Sequence, residues 1–341
     1  MKQRIDWVDT AKGFTIIGTI ISHCVEWGSF VRNFLFSFHM PLFFLLSGYT
    51  TKPVDNKKDL LLKTKKDFKK LIIPTLVVVL IKTGYTFYSN GSFSTDSLLM
   101  AGKFLLKCLF WSSGVAVHNS PALGAVWFLV SIFTARFLFN VINIVFKEDK
   151  NKIICIMLGI FGIIIGEHGY YLPFNFDVSL VALLFITIGF LFRQAQEKLS
   201  KYSLYLVIIS SFIWISLLMN GSYIELATRF YSNGLLTTLE ALCGTYVVCS
   251  ISAILCKKVI LKKVVNFLGI NSLIILCVHS LDTLFSFIWD RGSNYVRIPL
   301  RIISVLIISL IIIVIKNLII KRKERNNGQL EYLIITTLLC K

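Results

Sequence analysis

Two histidines stand inside apolar segments at the start of the chain. His23 lies within residues 13–25 and His39 within residues 34–48, and Lys12 stands eleven residues before His23. A membrane segment seldom keeps an ionisable side chain that has no function. A neutral imidazole there can take a proton from a hydroxyl group, the commonest role of His in general base catalysis. The alternative is a histidine that only donates one hydrogen bond to a neighbouring helix.

Helix geometry connects Lys12 to His23. Residues eleven apart in an α-helix differ by about 1100°, close to three full turns, and are separated by roughly 16 Å along the axis. Lys12 and His23 therefore share one face, with Thr19 between them and Glu26 one turn beyond. This polar stripe predicts the wall of a cavity. We expect His23 to act in catalysis, with His39 or Glu26 orienting it.

His39 is closely followed by a proline. Pro41 removes a backbone hydrogen bond and predicts a kink in the second apolar segment. A kink would open space and leave a carbonyl unpaired near the imidazole. The alternative is a packing kink whose free backbone groups are satisfied by neighbouring helices.

Composition predicts an all-α polytopic membrane protein. The 341 residues are 55% hydrophobic and only 16% charged, with a mean hydropathy of +0.74, whereas soluble domains carry about 25% charged residues. Many apolar runs have the length, about 15–20 residues, that roughly crosses a ~30 Å hydrocarbon core. The formal charge of +18 does not indicate nucleic acid, because the basic residues lie in short connections between apolar runs. Such residues set topology and contact anionic membrane lipids.

The charge pattern predicts about ten transmembrane helices with both termini in the cytoplasm. Alternate connections are rich in lysine and arginine, as expected of cytoplasmic loops. The sequence indicates one integral-membrane domain over residues 1–325, followed by a tail at 326–341 whose role has no physical explanation in the sequence. The ten predicted spans are approximately residues 8–27, 33–51, 71–89, 123–146, 152–167, 178–193, 203–219, 235–256, 267–288 and 299–320.

Several other kinds of site lose support from the sequence. The eight cysteines are scattered without a C-x-x-C pair, which argues against a disulfide framework and against a metal site. The chain has no Walker motif, no dinucleotide fingerprint and no H-E-x-x-H. Nucleotide hydrolysis, pyridine cofactors and zinc proteolysis are therefore not indicated.

A dense run of lysines precedes the third span. Lys66, Lys69 and Lys70 close this run, and as point charges they could bind the phosphates of a cytosolic cofactor. Runs of this kind more often set topology or contact anionic lipid.

Later spans carry further polar candidates. Asn271 and Ser272 lie near the predicted cytoplasmic end of the ninth span, where they could line the same cavity, and His279 follows about two turns later. A single histidine inside a membrane is as often structural as functional. Trp127 begins the fourth span, a position typical of an interfacial anchor.

These segments together resemble the membrane acyltransferase 3 family, and in particular its fucose-4-O-acetylase-like branch. The resemblance follows most of the chain in order, and its first two blocks are the most specific. The similar blocks are residues 4–13 with His23, then 38–49, 71–74, 126–129, 177–191 and 267–279.

The resemblance implies about ten helices, a cytosolic acyl-CoA donor (usually acetyl-CoA) and O-acylation of a sugar in a surface glycan. The family's essential pair, a basic residue followed after ten residues by His, falls here on Lys12 and His23. A second family motif pairs two arginines before the third helix. This chain has lysines there, Lys66 with Lys69 or Lys70, and lysine cannot reproduce the bidentate phosphate contact of arginine.

We therefore expect an O-acetyltransferase of the bacterial inner membrane. Its co-substrate would be acetyl-CoA, with no permanently bound cofactor, and its acceptor a sugar hydroxyl of a cell-surface glycan or lipid-linked sugar. His23 would act as catalytic base or pass the acetyl group onward. The alternative is a transporter that exports a polysaccharide or lipid-linked sugar. The expected cofactor-binding residues are Lys12, Lys66, Lys69 and Lys70, and the expected substrate-binding residues are Asn271, Ser272, His279 and Trp127.

Overall fold

The computed structural model describes residues 4–89, 94–146 and 150–339, and the side chains of these residues except 260 and 323–339. Their backbone is almost entirely helical, as the composition predicts. The α-helices are α1 (Asp6–Ser22), α2 (Phe30–Phe36), α3 (His39–Thr50), α4 (Lys57–Asp67), α5 (Ile73–Ser89), α6 (Thr95–Trp111), α7 (Trp127–Val145), α8 (Lys150–Glu167), α9 (Phe176–Ser200), α10 (Ser203–Met219), α11 (Leu235–Leu255), α12 (Val259–Ile270), α13 (Ser272–Ser280), α14 (Ser286–Trp289) and α15 (Asn294–Leu339).

Shorter elements join the helices. A π-helical turn, Phe68–Ile72, fuses α4 to α5, and 3₁₀ turns occupy Gly124–Val126, Pro173–Asn175 and Asp282–Phe285. Two two-residue strands, β1 (Ile224–Glu225) and β2 (Phe230–Tyr231), pair antiparallel in the connection between α10 and α11.

Within the described residues, six helical segments are long and apolar enough to cross a membrane. They correspond to six of the ten predicted spans. A seventh would be a broken span whose two halves, Leu261–Ile270 and Ser272–Ser280, meet at 61°. The remaining predicted spans fall on α1, α8 and α10, helices of 17, 18 and 17 residues. The helical membrane fold thus agrees with the prediction, while the count of ten and the cytoplasmic termini stay predictions.

The first predicted span is shorter than expected. α1 ends at Ser22, and His23 caps its C-terminus, with its N–H bonded to the Ile20 carbonyl at 3.3 Å. His23 therefore lies at a helix end, one turn short of the predicted boundary at residue 27. Side chains around this end, described below, replace the helical hydrogen bonds that the last carbonyls lack.

The second predicted span has an irregular turn at Ser37 and Phe38, shortly before Pro41, and the predicted bend at Pro41 itself stays a prediction. α2 ends at Phe36, Phe38 has non-helical backbone angles, and α3 begins at His39. Pro41 is the third residue of α3, where its missing N–H costs no helical hydrogen bond. Because a proline is tolerated in the first turn, the helix can begin around it.

The ninth predicted span, 267–288, is not one helix. α12 ends at Ile270, and the Asn271 side chain bonds back to the Phe267 carbonyl at 2.9 Å, which closes the last turn. The chain then turns into α13, which ends at Ser280. This break allows α12 to stay packed on α1 while α13 turns towards α5 and α15.

Glycines allow two pairs of helices to approach closely. On α1, Gly13 faces the backbone of Val265, and on α12, Gly269 faces the backbone of Asp9. A Cβ at either glycine would collide with main-chain atoms. Small residues at such crossings are how membrane helices gain packing contacts, so α1 and α12 form a rigid pair.

The second close pair is α3 with α9. Gly48 faces the Ile186 carbonyl, and Gly189 faces the Leu45 carbonyl. Behind this crossing, α9 also packs on α7 and α8, and its residues 177–187 are buried without interruption. α9 is therefore the central helix of this half of the bundle.

We predict that Gly48→Ala destabilises the protein, because the new methyl group would meet the Ile186 carbonyl and force the two helices apart. Overpacking of this kind costs about 1–3 kcal/mol. Gly84→Ala is the matched control, since a Cβ at Gly84 meets no atom within 4 Å, and alanine there should be neutral or stabilising. Thermal unfolding of the purified variants in detergent measures the difference. Equal melting temperatures for the two variants would contradict the close packing.

Candidate active site

His23 lies at the Ser22 end of α1. The residue is exposed, although much of the protein surrounds it at longer range. It therefore faces open space within the bundle that a substrate can reach, and we call this space the cleft. The His279 ring centroid lies 5.2 Å away and the Phe36 centroid 5.9 Å away.

His279 is held by a buried carboxylate. His279 Nδ1 lies 2.8 Å from Asp282 Oδ2, and Arg301 Nε donates to the same oxygen at 2.7 Å. Asp282 lies in the 3₁₀ turn after α13, outside the candidate spans. Burial opposes its ionisation, but the hydrogen bonds and charges of His279 and Arg301 bring the pKa of Asp282 below its usual value. Asp282 is therefore a carboxylate at neutral pH.

Two arginines hold the end of α1 that carries His23. Arg301 Nη1 donates to the His23 carbonyl at 2.7 Å, and Arg32 Nη1 donates to the Ser22 carbonyl at 2.8 Å. The last carbonyls of a helix lack helical partners and carry partial negative charge, so cations are favourable there. Arg32 is itself fixed by Glu225, 3.1 Å from its Nη2, in a pair that is nearly inaccessible to solvent.

His39 lies near the other two histidines, close enough for electrostatic interaction with both. It is buried, and its Nδ1 lies 2.8 Å from the Leu35 carbonyl, so Nδ1 is the donor. Its Nε2 is buried without a hydrogen-bond partner in the structure. Leaving a buried polar atom unpaired costs about 1–3 kcal/mol, which marks a site that a substrate group or water can satisfy.

No hydrogen bond, ion pair or ring contact joins two of the predicted site residues to the histidines in the described structure. Glu26 is exposed in the turn after α1, and its side chain forms no hydrogen bond or ion pair with the described residues. Trp127 is the first residue of α7, but it is buried against Gly114 and Phe128. Its position is that of a core residue, and not of an interfacial anchor.

Basic side chains gather nearer the Asp6 end of α1, and we call them the basic cluster. Lys12 interacts electrostatically with Lys70 and Arg136, and its ammonium forms no hydrogen bond or ion pair with the described residues. Asp67 pairs with Arg136 at 3.0 Å, and Asp9 pairs with Arg4 at 2.8 Å. Both nearby carboxylates are thus taken by arginines, and the lysines remain available for an anion. The cluster comprises Arg4, Lys12, Lys66, Lys70 and Arg136.

The cluster includes a residue that the sequence analysis missed and omits one that it predicted. Arg136 lies on α7, within the predicted fourth span; a cation inside an apolar span was the signal that could have found it. Lys69 is exposed, and it is not among the charges that act on Lys12 or Lys70. The lysine run lacks the two arginines of the family motif, but Arg136 brings an arginine to the cluster from another helix.

A cavity of about 110 Å³ lies between the basic cluster and the histidines. Ile16 lines it from α1, Lys70 from the π-helical turn and Ser272 from the start of α13, with Met40 and Phe128 beside them. Ile16 lies one turn above Lys12 on α1, on the way to His23. Ser272, predicted to bind substrate, thus lies beside Lys70. Asn271 does not line this cavity.

A larger cavity lies elsewhere, between α9, α10 and α11. It has a volume of about 240 Å³ and an aromatic lining that includes Trp7, Phe192 and Tyr246. None of the predicted site residues lines it. We therefore place the chemistry at the smaller cavity and the cleft beyond it, where ionisable side chains converge.

A model of the acyltransferase domain matches residues 5–318, nearly the whole chain. No curated protein and no solved structure matches the chain. The fucose-4-O-acetylase-like branch stays a prediction. Since the match extends from the basic cluster through the histidines to the last apolar helix, the chain belongs to the acyltransferase 3 family.

Proposed function

We propose that this membrane acyltransferase is an O-acetyltransferase that moves an acetyl group from cytosolic acetyl-CoA to a sugar hydroxyl of a cell-surface or exported glycan. The observation that carries the proposal is the presence of two different groups of side chains near the two ends of α1. The basic cluster lies around Lys12, while His39 and His279 lie near His23. Roughly 16 Å of helix separates Lys12 from His23.

The basic cluster suits the phosphates of CoA. Lys12 and Lys70 have no anionic partner bonded to them, and Arg136 supplies a planar guanidinium. Arginine can bind a phosphate through two parallel hydrogen bonds, whereas lysine binds as a point charge. We infer that Arg136 gives the cluster the bidentate contact that Lys66, Lys69 and Lys70 cannot make.

The cavity between the two sites suits the rest of the donor. The extended pantetheine arm of CoA separates its thioester from its phosphates by a distance comparable to that between Lys12 and His23. The cavity beside Ile16 is mostly apolar, with Ser272 at its edge. An acyl-CoA lying along α1 would therefore bring its thioester towards His23.

At the histidine end, His23 is the side chain that an acceptor could reach. Its ring is exposed to the cleft and has no hydrogen-bond partner in the described structure. In direct transfer, His23 takes the proton of the sugar hydroxyl as its oxygen attacks the thioester carbonyl; the C–S bond breaks and the proton ends on the CoA sulfur. In covalent transfer, an imidazole nitrogen of His23 first carries the acetyl group. Trp127 and Asn271 have no direct part in either route.

We further propose that the protein lies in the bacterial inner membrane, with the basic cluster towards the cytoplasm, where acetyl-CoA is made. The alternation of basic connections supports this orientation. The hypothesis of a polysaccharide transporter gains no support from the family, which is one of acyltransferases. A transporter would release no CoA, so CoA release separates the two hypotheses.

We predict that His23→Ala lowers acyl transfer by roughly 10²–10⁴-fold, the usual contribution of a positioned acid–base group. The measurement is release of CoA thiol from acetyl-CoA in membranes that contain the glycan acceptor, corrected for the amount of enzyme.

His168→Ala is the matched control for His23→Ala. His168 is an exposed histidine that directly follows α8, and among the described residues its side chain bonds only to the Ile164 carbonyl of that helix, at 2.8 Å. The control should keep the wild-type rate. Equal rates for the His23 and His168 variants would exclude His23 from the reaction.

We predict that Arg136→Leu raises the KM for acetyl-CoA at least tenfold. A hydrogen bond to a charged group contributes about 1.5–3 kcal/mol, and about 1.4 kcal/mol corresponds to a factor of ten in binding. Lys12→Met should have a similar effect, and higher salt should weaken acetyl-CoA binding in the wild type.

Lys69→Met is the control for these two variants, because it removes an exposed lysine of the same run that lies outside the cluster. Its KM should stay unchanged. If Lys69→Met and Arg136→Leu raise the KM equally, the phosphates bind the lysine run as a whole and not the basic cluster.

A further inference from the structure

His279, Asp282 and Arg301 form a connected unit behind His23. We propose that His279, oriented by Asp282, accepts a proton from His23 during acyl transfer, so that His23 works as the outer end of a proton relay. This inference rests on the proposed function, since these residues act through His23. They are positioning residues, and they do not touch the substrate.

Asp282 fixes which nitrogen of His279 carries the proton. Its Oδ2 lies 2.8 Å from His279 Nδ1 and accepts a second hydrogen bond from Arg301 Nε at 2.7 Å. A carboxylate paired with a guanidinium has no proton to give, so His279 Nδ1 must be the donor. His279 Nε2 therefore keeps its lone pair, and it has no hydrogen-bond partner in the described part of the chain. It is therefore a base for which the described structure shows no bonded proton donor.

The nearest ring to this base is His23. The two ring centroids are 5.2 Å apart, with an angle of 44° between the ring planes. At this separation the ring edges are neighbours, and rotation of the exposed His23 side chain can aim a nitrogen at His279 Nε2. Hydrogen bonds of catalytic sites are often long before the substrate binds. The geometry thus fits a contact that closes when an acceptor meets His23.

Arg301 couples this unit to the backbone of His23. The guanidinium that pairs with Asp282 also donates to the His23 carbonyl at 2.7 Å, and it lies over the Trp289 ring at 4.6 Å. One planar group therefore sets both the Asp282–His279 pair and the end of α1.

Charges around the relay nearly cancel. Arg301 pairs with Asp282, and Arg32 pairs with Glu225 at 3.1 Å. Two cations thus face two anions close to the histidines. A proton that reaches His279 therefore adds one positive charge to an otherwise balanced site. The Asp282 carboxylate, 2.8 Å from His279 Nδ1, stabilises that charge.

Other titratable groups face the unit from the surrounding helices. His39 lies on α3, and the Cys24 thiol lies 3.8 Å from Arg301 Nη1. On α5, Lys82 interacts electrostatically with Asp282 while its ammonium bonds to the Leu123 carbonyl. Arg297, one turn before Arg301, is paired with Asp290 at 3.3 Å.

The relay balances the reaction. As the acceptor oxygen bonds to the thioester carbon, its proton moves to one nitrogen of His23, and the proton on the other nitrogen moves to His279 Nε2. The C–S bond breaks and its electron pair stays on sulfur. The proton then returns through His23 to the thiolate, which leaves both rings neutral and CoA as the thiol.

We predict that Asp282→Asn lowers CoA release by roughly 10²–10⁴-fold at neutral pH, with little change in the KM for acetyl-CoA. Both readouts come from wild-type and variant membranes that contain the glycan acceptor and receive acetyl-CoA. Asp290→Asn, which removes an exposed carboxylate paired with Arg297 in the same segment, is the matched control and should match the wild type in both.

His279→Gln supplies a second test. Glutamine can still donate to Asp282 but offers no basic nitrogen, so its folded protein should be as slow as Asp282→Asn. Wild-type rates in either variant would overturn the relay, and so would an Asp282→Asn loss that only follows the amount of folded protein. If wild-type membranes release no CoA at all, the proposed function fails first, and the two failures remain distinguishable.

Discussion

The C-terminal end of α1 depends on two guanidinium groups. Arg32 and Arg301 donate to the consecutive carbonyls of Ser22 and His23, and each arginine is set by a buried carboxylate from a distant segment. Without Arg32 the Ser22 carbonyl would be buried unpaired, at a cost of about 1–3 kcal/mol. The helix can therefore end abruptly inside the bundle, and its cap residue, His23, is presented to an open cleft instead of being buried in a longer helix.

Helix α1 fixes the distance over which the site works. Its close contact with α12, where Gly13 and Gly269 leave no side chain in the interface, packs the two helices tightly together. The basic cluster and the histidines are thus held at a set separation by one helix. The proposed donor, acetyl-CoA, needs such a separation between its phosphates and its thioester. The break at Asn271 has a related consequence: α12 remains packed on α1, while α13 turns away and delivers His279 to His23.

Three of the buried arginines of this protein are paired with carboxylates. The pairs Arg32–Glu225, Arg301–Asp282 and Arg136–Asp67 each place a cation near a predicted reaction centre or phosphate site without an unbalanced charge. Removing one partner of such a pair is far more costly than replacing both. The lysines are different, because Lys12 has no bonded anion, and an incoming phosphate would supply one. In the proposed function, Arg32 and Arg301 set the geometry of the site, while the unpaired lysines attract the phosphates that Arg136 binds.

The sequence alone determined the helical membrane class, because apolar runs and charge spacing report directly on a hydrocarbon environment. It also predicts that Lys12 and His23 share one helix face, since that relation depends only on the 3.6-residue repeat. The tertiary structure decided that α1 ends at His23, that Arg136 joins the lysines, and that His279 meets His23. Those relations join residues far apart in the chain. They depend on which apolar helix faces pack together. An apolar pattern in the sequence predicts that a face is buried, but it does not predict which other helix covers that face.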